Sequence, residues 1–103
     1  MGRYSDPFSF GYVMRLDLAT WLEVEAYLET SSGIFLPAGS TEQHGPMGLI
    51  GTDAFCAELI ATLAAKATKT YVAPTLAYTP APFNTSFPGT LSISESLFES
   101  IAK

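Results

Sequence analysis

The chain has 103 residues, of which 48% are hydrophobic and 13% aromatic, a composition that folds rather than staying disordered and a length that suits one small domain. Ten carboxylates stand against five Lys and Arg, for a formal net charge of -5. With no basic cluster to offset it, that charge repels phosphate backbones and excludes nucleic acid as an expected partner.

Residues 1–11 read as a loose leading arm, and Tyr12 to Leu16 as a short strand or extended lead-in. Thr20-Trp21-Leu22-Glu23 has the form of a capping box. The helix it opens, to about Thr30, places Trp21, Val24, Tyr27 and Leu28 on one side, with Trp21 expected in the core. Ser31-Ser32-Gly33 ends it. Gly33-Ile34-Phe35-Leu36 is wholly apolar and predicts a strand covered on both faces. A loop dense in Gly and Pro follows, from Pro37 to Gly51. Thr52 or Asp53 is predicted to cap a helix running to about Ala67 on Phe55, Leu59, Ile60 and Leu63. Thr70 to Ala73 is a second strand, expected to lie parallel to the first with that helix as crossover. Pro74 to Gly89 holds Pro74, Pro80, Pro82 and Pro88 and predicts extended loop. Ser92-Ile93-Ser94-Glu95 reads as another capping box, opening a helix that runs to Lys103. No apolar run approaches the roughly 20 residues of a membrane span, so no membrane partner is expected. One cysteine, Cys56, excludes an internal disulfide and, with one His, a zinc finger. Nothing basic adjoins Cys56, which predicts an inert thiol. The N-terminus lacks the apolar stretch of a secretory signal and carries Asp6 where myristoylation wants Ser or Thr, so a cytoplasmic location is expected.

Chemistry concentrates after the first strand, where open α/β sheets place their ligands. In an extended segment Glu42 and His44 project to the same face. A carboxylate and an imidazole together suit a divalent ion such as zinc or manganese. The Gly-rich turn through Gly45, Pro46, Gly48 and Gly51 returns Asp53 to a helix N-terminus, whose positive end favours an ionised carboxylate. Each residue taken singly also has a plainer role: Asp53 as N-cap, Glu42 as solvated acid, His44 as loop histidine. Gly39-Ser40-Thr41 lacks the pattern of a phosphate loop.

Gly39-Ser40-Thr41-Glu42-Gln43-His44-Gly45-Pro46 with Gly51-Thr52-Asp53, followed by Phe87-Pro88-Gly89-Thr90-Leu91-Ser92, resembles the two landmarks of the creatininase (creatinine amidohydrolase) family, in the right order over residues 17–103. The resemblance implies an α/β fold, an incomplete three-layer α/β/α sandwich with a parallel sheet, forming one apparently truncated domain over residues 1–103. It implies Glu42 and His44 each on one of two metal ions, zinc or manganese, with Asp53 bridging them. It further implies hydrolysis of a non-peptide C–N bond in a cyclic or formyl amide, by a homo-oligomer or with a complementary C-terminal half. Two departures stand out: Met47-Gly48-Leu49 where many relatives have His-Leu-Pro, and Pro82 to Ser86 where relatives often carry a His. The family's other His and Glu ligands and an Asn-Gly-His segment belong to sequence past residue 103. The chain alone is therefore expected to be inactive, and the rival expectation is a non-catalytic remnant or interaction module.

Overall fold

A computed structural model describes residues 13–103; the leading arm lies outside them. The architecture is mixed α/β, with helices α1 (Trp21–Tyr27), α2 (Thr52–Thr68) and α3 (Glu95–Ala102) and strands β1 (Ile34–Phe35) and β2 (Tyr71–Val72). Contacts divide it into two compact units, one containing the segments up to Pro37 and Leu59–Pro74, the other Ala38–Glu58 and Thr75–Lys103. Among the described residues no helix is long and apolar enough to cross a membrane.

In the first unit β1 and β2 pair in parallel, Ile34 with Tyr71 and Phe35 with Val72, as the two apolar runs predict. Arg15 bridges Val72, also in parallel, and the Val72 amide donates to the Met14 carbonyl at 2.8 Å. The expected lead-in therefore lies beside β2, although Leu16–Leu18 turns into a 3-10 helix. Burial is one-sided. Tyr71 and Val72 are buried, whereas Ile34 and Leu36 remain about half exposed, so β1 is not covered on both faces as its composition suggests. The Tyr27 ring meets Tyr71 edge-on at 4.8 Å between centroids, and its hydroxyl donates to the Gly33 carbonyl at 2.6 Å. These two contacts anchor α1 to the start of β1 and to β2, using the ring's preferred edge-to-face geometry.

The Thr20 capping box is complete: Glu23 N donates to Thr20 Oγ1 and Thr20 N to Glu23 Oε1 at 2.8 Å. Such a cap is worth about 1 kcal/mol. The helix stops at Tyr27 rather than Thr30, and Trp21 is 72% exposed, not in the core. Helix α2 departs further from expectation. Its buried positions are Ala54 and Ala65, while Phe55, Leu59, Ile60 and Leu63 are each more than half exposed. The large residues form one face, but the side that packs is the small one, which lets backbone approach closely. The cap also shifts by a residue. The Phe55 amide donates to the Gly51 carbonyl at 2.9 Å, so Gly51 takes the capping place and Thr52 turns its hydroxyl to the Leu49 carbonyl. At the other end Lys69 adopts a left-handed conformation (φ 54) and the Thr70 amide reaches back to the Ala65 carbonyl. That is the bond of a Schellman ending, made here without glycine.

In the second unit the two sequence landmarks pack on each other. Thr41 bridges Leu91 in antiparallel sense, with the Leu91 amide on the Thr41 carbonyl at 2.9 Å, and the Gln43 amide donates to Thr90 Oγ1 at 3.0 Å. Ala38 bridges Leu76 in parallel. The proline-rich stretch has no helix or turn as far as Ala81 and then turns repeatedly, through a 3-10 helix at Pro82–Asn84 and further turns to Gly89, where a loop extended throughout was expected. Helix α3 is capped by Ser94, which accepts from the Leu97 amide, and not by Ser92. The Ser92 hydroxyl instead takes the Ala81 amide at 2.8 Å, tying the loop to the strand-like segment before α3.

Candidate functional site

Ser40, Glu42, Gln43, His44, Asp53 and Asn84 all belong to the second unit. Two glycines fix how they meet. A Cβ on Gly39 would overlap the Asp53 carbonyl group and stand 2.7 Å from the Ala54 amide nitrogen, so only glycine lets this loop lie against the first turn of α2. A Cβ on Gly48 would stand 2.6 Å from the His44 Cβ, so the turn folds back onto the histidine for the same reason. Within Met47-Gly48-Leu49, Gly48 thus has a backbone role.

The first close approach brings the Ser40 hydroxyl to 2.6 Å from Glu42 Oε1 and 2.7 Å from Asp53 Oδ2. A hydroxyl carries one proton and an ionised carboxylate carries none. Ser40 therefore satisfies one carboxylate at a time, and negative charge accumulates between them. His44 sits on the same side. Its Nδ1 lies 2.9 Å from the Glu42 carbonyl oxygen. A carbonyl only accepts, so Nδ1 holds the proton and the neutral ring turns the Nε2 lone pair outward. Nε2 is 3.5 Å from Asp53 Oδ1, a lone pair facing a carboxylate oxygen.

Such an arrangement calls for a positive charge, which protonation of His44 at Nε2 would supply. The backbone bond to Glu42 first, then the Asp53 carboxylate, raise the His44 pKa above 6.5, against a smaller opposing effect of desolvation. Ser40 first, then His44, hold Asp53 below its ordinary 3.8, again against desolvation. A divalent ion would answer the same need: imidazole Nε2 with two carboxylates is a borderline-hard donor set suited to zinc or manganese. Ligands on one such ion stand about 3 Å apart, close to the observed Nε2 to Oδ1 spacing. The chemistry of the donors fits a metal. Among the described residues, however, no three His, Cys, Asp or Glu side chains already stand in ligand geometry; Asp53 meets His44 directly and Glu42 through Ser40.

Sequence reasoning misses three participants. Ser40 precedes Glu42 by two residues, which in extended backbone places it on the same face as Glu42 and His44. The Gln43 side chain and Asn84 come together from distant segments. Asn84 Nδ2 donates to Glu42 Oε2 at 2.6 Å, and Gln43 Nε2 donates to Asn84 Oδ1 at 2.7 Å. Nothing in the spacing around Asn84 signals it, since its partners lie more than forty residues away. Beside these residues a cleft of about 420 Å³ is lined by Gln43, Gly45, Pro46, Gly48, Ile50, Phe87 and Pro88, drawn from both landmarks. Cys56 is exposed and free.

The sequence profile of the creatininase family, described as creatinine amidohydrolase, matches residues 17–103. A crystal structure of creatinine amidohydrolase (creatininase) superposes with a TM-score of 0.72 at 26% identity, over 80% of this chain and 34% of that one. A creatininase described with Mn gives 0.72 at 25%, over 80% and 34%. A creatininase variant complexed with creatine gives 0.78 at 24%, over 86% and 36%, which speaks for the fold alone. No curated protein matches the sequence. The chain spans about a third of the length of these structures. With a matching profile over most of its length and a creatininase-like partial α/β fold, the chain belongs to the creatininase (creatinine amidohydrolase) family.

Proposed function

We propose that this chain forms part of the metal-binding region of an amidohydrolase that cleaves a non-peptide C–N bond in a cyclic or formyl amide. The observation that carries this reading is the placement of Ser40: one hydroxyl proton between two carboxylates, with a histidine lone pair 3.5 Å from the second of them. Glu42, His44 and Asp53 would hold the ion, zinc or manganese, and the relative described with Mn supports the latter. When bound, a divalent ion supplies Lewis-acid chemistry, polarising an amide carbonyl and acidifying water. The chain's own residues orient the donors. The Glu42 carbonyl pins the His44 tautomer, Ser40 spaces the carboxylates, and the cleft beside Gln43 offers an apolar wall for a small amide. Three side chains hold one ion; a two-ion site needs more donors, which we place outside these 103 residues in one larger creatininase-like domain or on a companion chain.

The test is direct titration of His44, the one histidine present. In the free chain its ring resonance should show a midpoint above 6.5. The linkage runs one way. A raised pKa stabilises the folded chain below the unfolded value, about 6.5, and that contribution is lost as pH rises through the folded midpoint. Zinc competes with the proton for Nε2, so added zinc should move the midpoint to lower pH. A midpoint that zinc leaves in place would remove His44 from the metal site.

A second reading, an interaction module without catalysis, draws on the open apolar face of α2. Patches of that kind mark association sites. On either reading, light scattering should report a mass above the 11.0 kDa of one chain. A monomer at tens of micromolar would count against a homo-oligomer.

A further inference from the structure

We propose that Asn84 is a positioning residue for Glu42, holding its Oε2 so that Oε1 is the oxygen presented toward Ser40 and Asp53. The claim rests on the metal reading above for its purpose, and on a chain of hydrogen bonds for its geometry. The chain starts at a backbone donor, which fixes every direction after it. The Gly45 amide donates at 2.8 Å to Gln43 Oε1, so that end of the amide is oxygen. Gln43 Nε2 must then be the end that meets Asn84, at 2.7 Å, and what it meets must be Oδ1. Asn84 is left presenting Nδ2 to Glu42 Oε2 at 2.6 Å. A short bond from an amide donor to an ionised acceptor is the stronger kind. It also occupies one of the two carboxylate oxygens, which restricts Glu42 to offering the other. The partner comes from the 3-10 turn at Pro82–Asn84, more than forty residues along the chain, and reaches Glu42 across the loop. Outer partners of metal ligands typically change affinity by about 10–100-fold when lost.

Asn84→Asp is the sharpest variant because it keeps shape and the acceptor for Gln43 while replacing the donor by a second carboxylate oxygen. Manganese binding by the full chain, followed by loss of the free-ion EPR signal, should weaken about 10–100-fold in Asn84→Asp, with the thermal midpoint little changed. Glu42→Ala should weaken it as well, and adding Asn84→Asp to Glu42→Ala should cause no further loss, since the two act through one group. Undiminished binding in Asn84→Asp, alongside loss in Glu42→Ala, would overturn the positioning role and spare the metal reading. Undiminished binding in Glu42→Ala would overturn the metal reading and the inference with it. A metal-free measurement covers the case in which Asn84→Asp fails to fold. One Asn84 side-chain amide proton should resonate downfield in the natural chain and move back toward the free-amide position in Glu42→Ala. A resonance indifferent to Glu42 would overturn the proposal.

Discussion

Replacing Glu42, His44 and Asp53 together by alanine should abolish retention of manganese or zinc while leaving the helical content of the chain intact. The loss should exceed the roughly 10–100-fold expected for an outer partner, because all three donors go at once. The fold should survive for a local reason. Helix α2 is started by Gly51 and packed through Ala54 and Ala65, none of which changes, and Asp53 is not its cap. Equilibrium dialysis followed by elemental analysis reads the metal, and far-UV circular dichroism reads the fold. Metal content equal to that of the natural chain would show that the three residues are not the site. Hydrolysis of a cyclic amide by the 103-residue chain is not expected in either form, since the two-ion chemistry asks for more donors than it has.

Gly39→Ala should be strongly damaging, although it removes none of the candidate donors. The added methyl meets backbone atoms of Asp53 and Ala54, not the end of a side chain that swings aside. Relief therefore requires the loop or the first turn of α2 to shift. Overpacking of this kind costs about 1–3 kcal/mol, and contact with fixed backbone places it at the upper end. At about 4–8 °C per kcal/mol for a domain of this size, the thermal midpoint should fall by roughly 12–24 °C. Ser40 moves with Gly39, so metal affinity should drop too. Gly33→Ala is the matched control, because nothing lies within 4 Å of the position its Cβ would take. Equal midpoints for Gly39→Ala and Gly33→Ala would contradict the close approach.

Local rules read the elements well and their surroundings poorly. Thr20 and Glu23 are three residues apart and need nothing else to form a capping box, so that helix start was legible. The parallel pairing of Ile34-Phe35 with Tyr71-Val72 was legible because two apolar runs joined by one helix have few other ways to pair. The buried face of α2 was not. Periodicity selects the large residues Phe55, Leu59, Ile60 and Leu63, but which face packs depends on what surrounds the helix, and here alanines take the contact. Ser92 and Ser94 both fit a cap by spacing, and the choice between them was made by the distant Ala81 amide, which claims Ser92. At the site, Glu42, His44 and Asp53 lie close in sequence and could be singled out from spacing and family resemblance together. Asn84 could not, since nothing local to it points to Glu42.

The antiparallel bridge between Thr41 and Leu91 has a kinetic consequence. Glu42, His44 and Asp53 lie in one short stretch, and a partly folded chain can bring them near each other by closing a small loop. Asn84 and Thr90 arrive only after a much longer segment has been closed, at an entropic cost that grows with the logarithm of its length. On the proposed metal reading, an ion met during refolding would therefore find Glu42, His44 and Asp53 before Asn84, which orients Glu42. That reading expects loose capture first and a slower tightening as the second landmark docks.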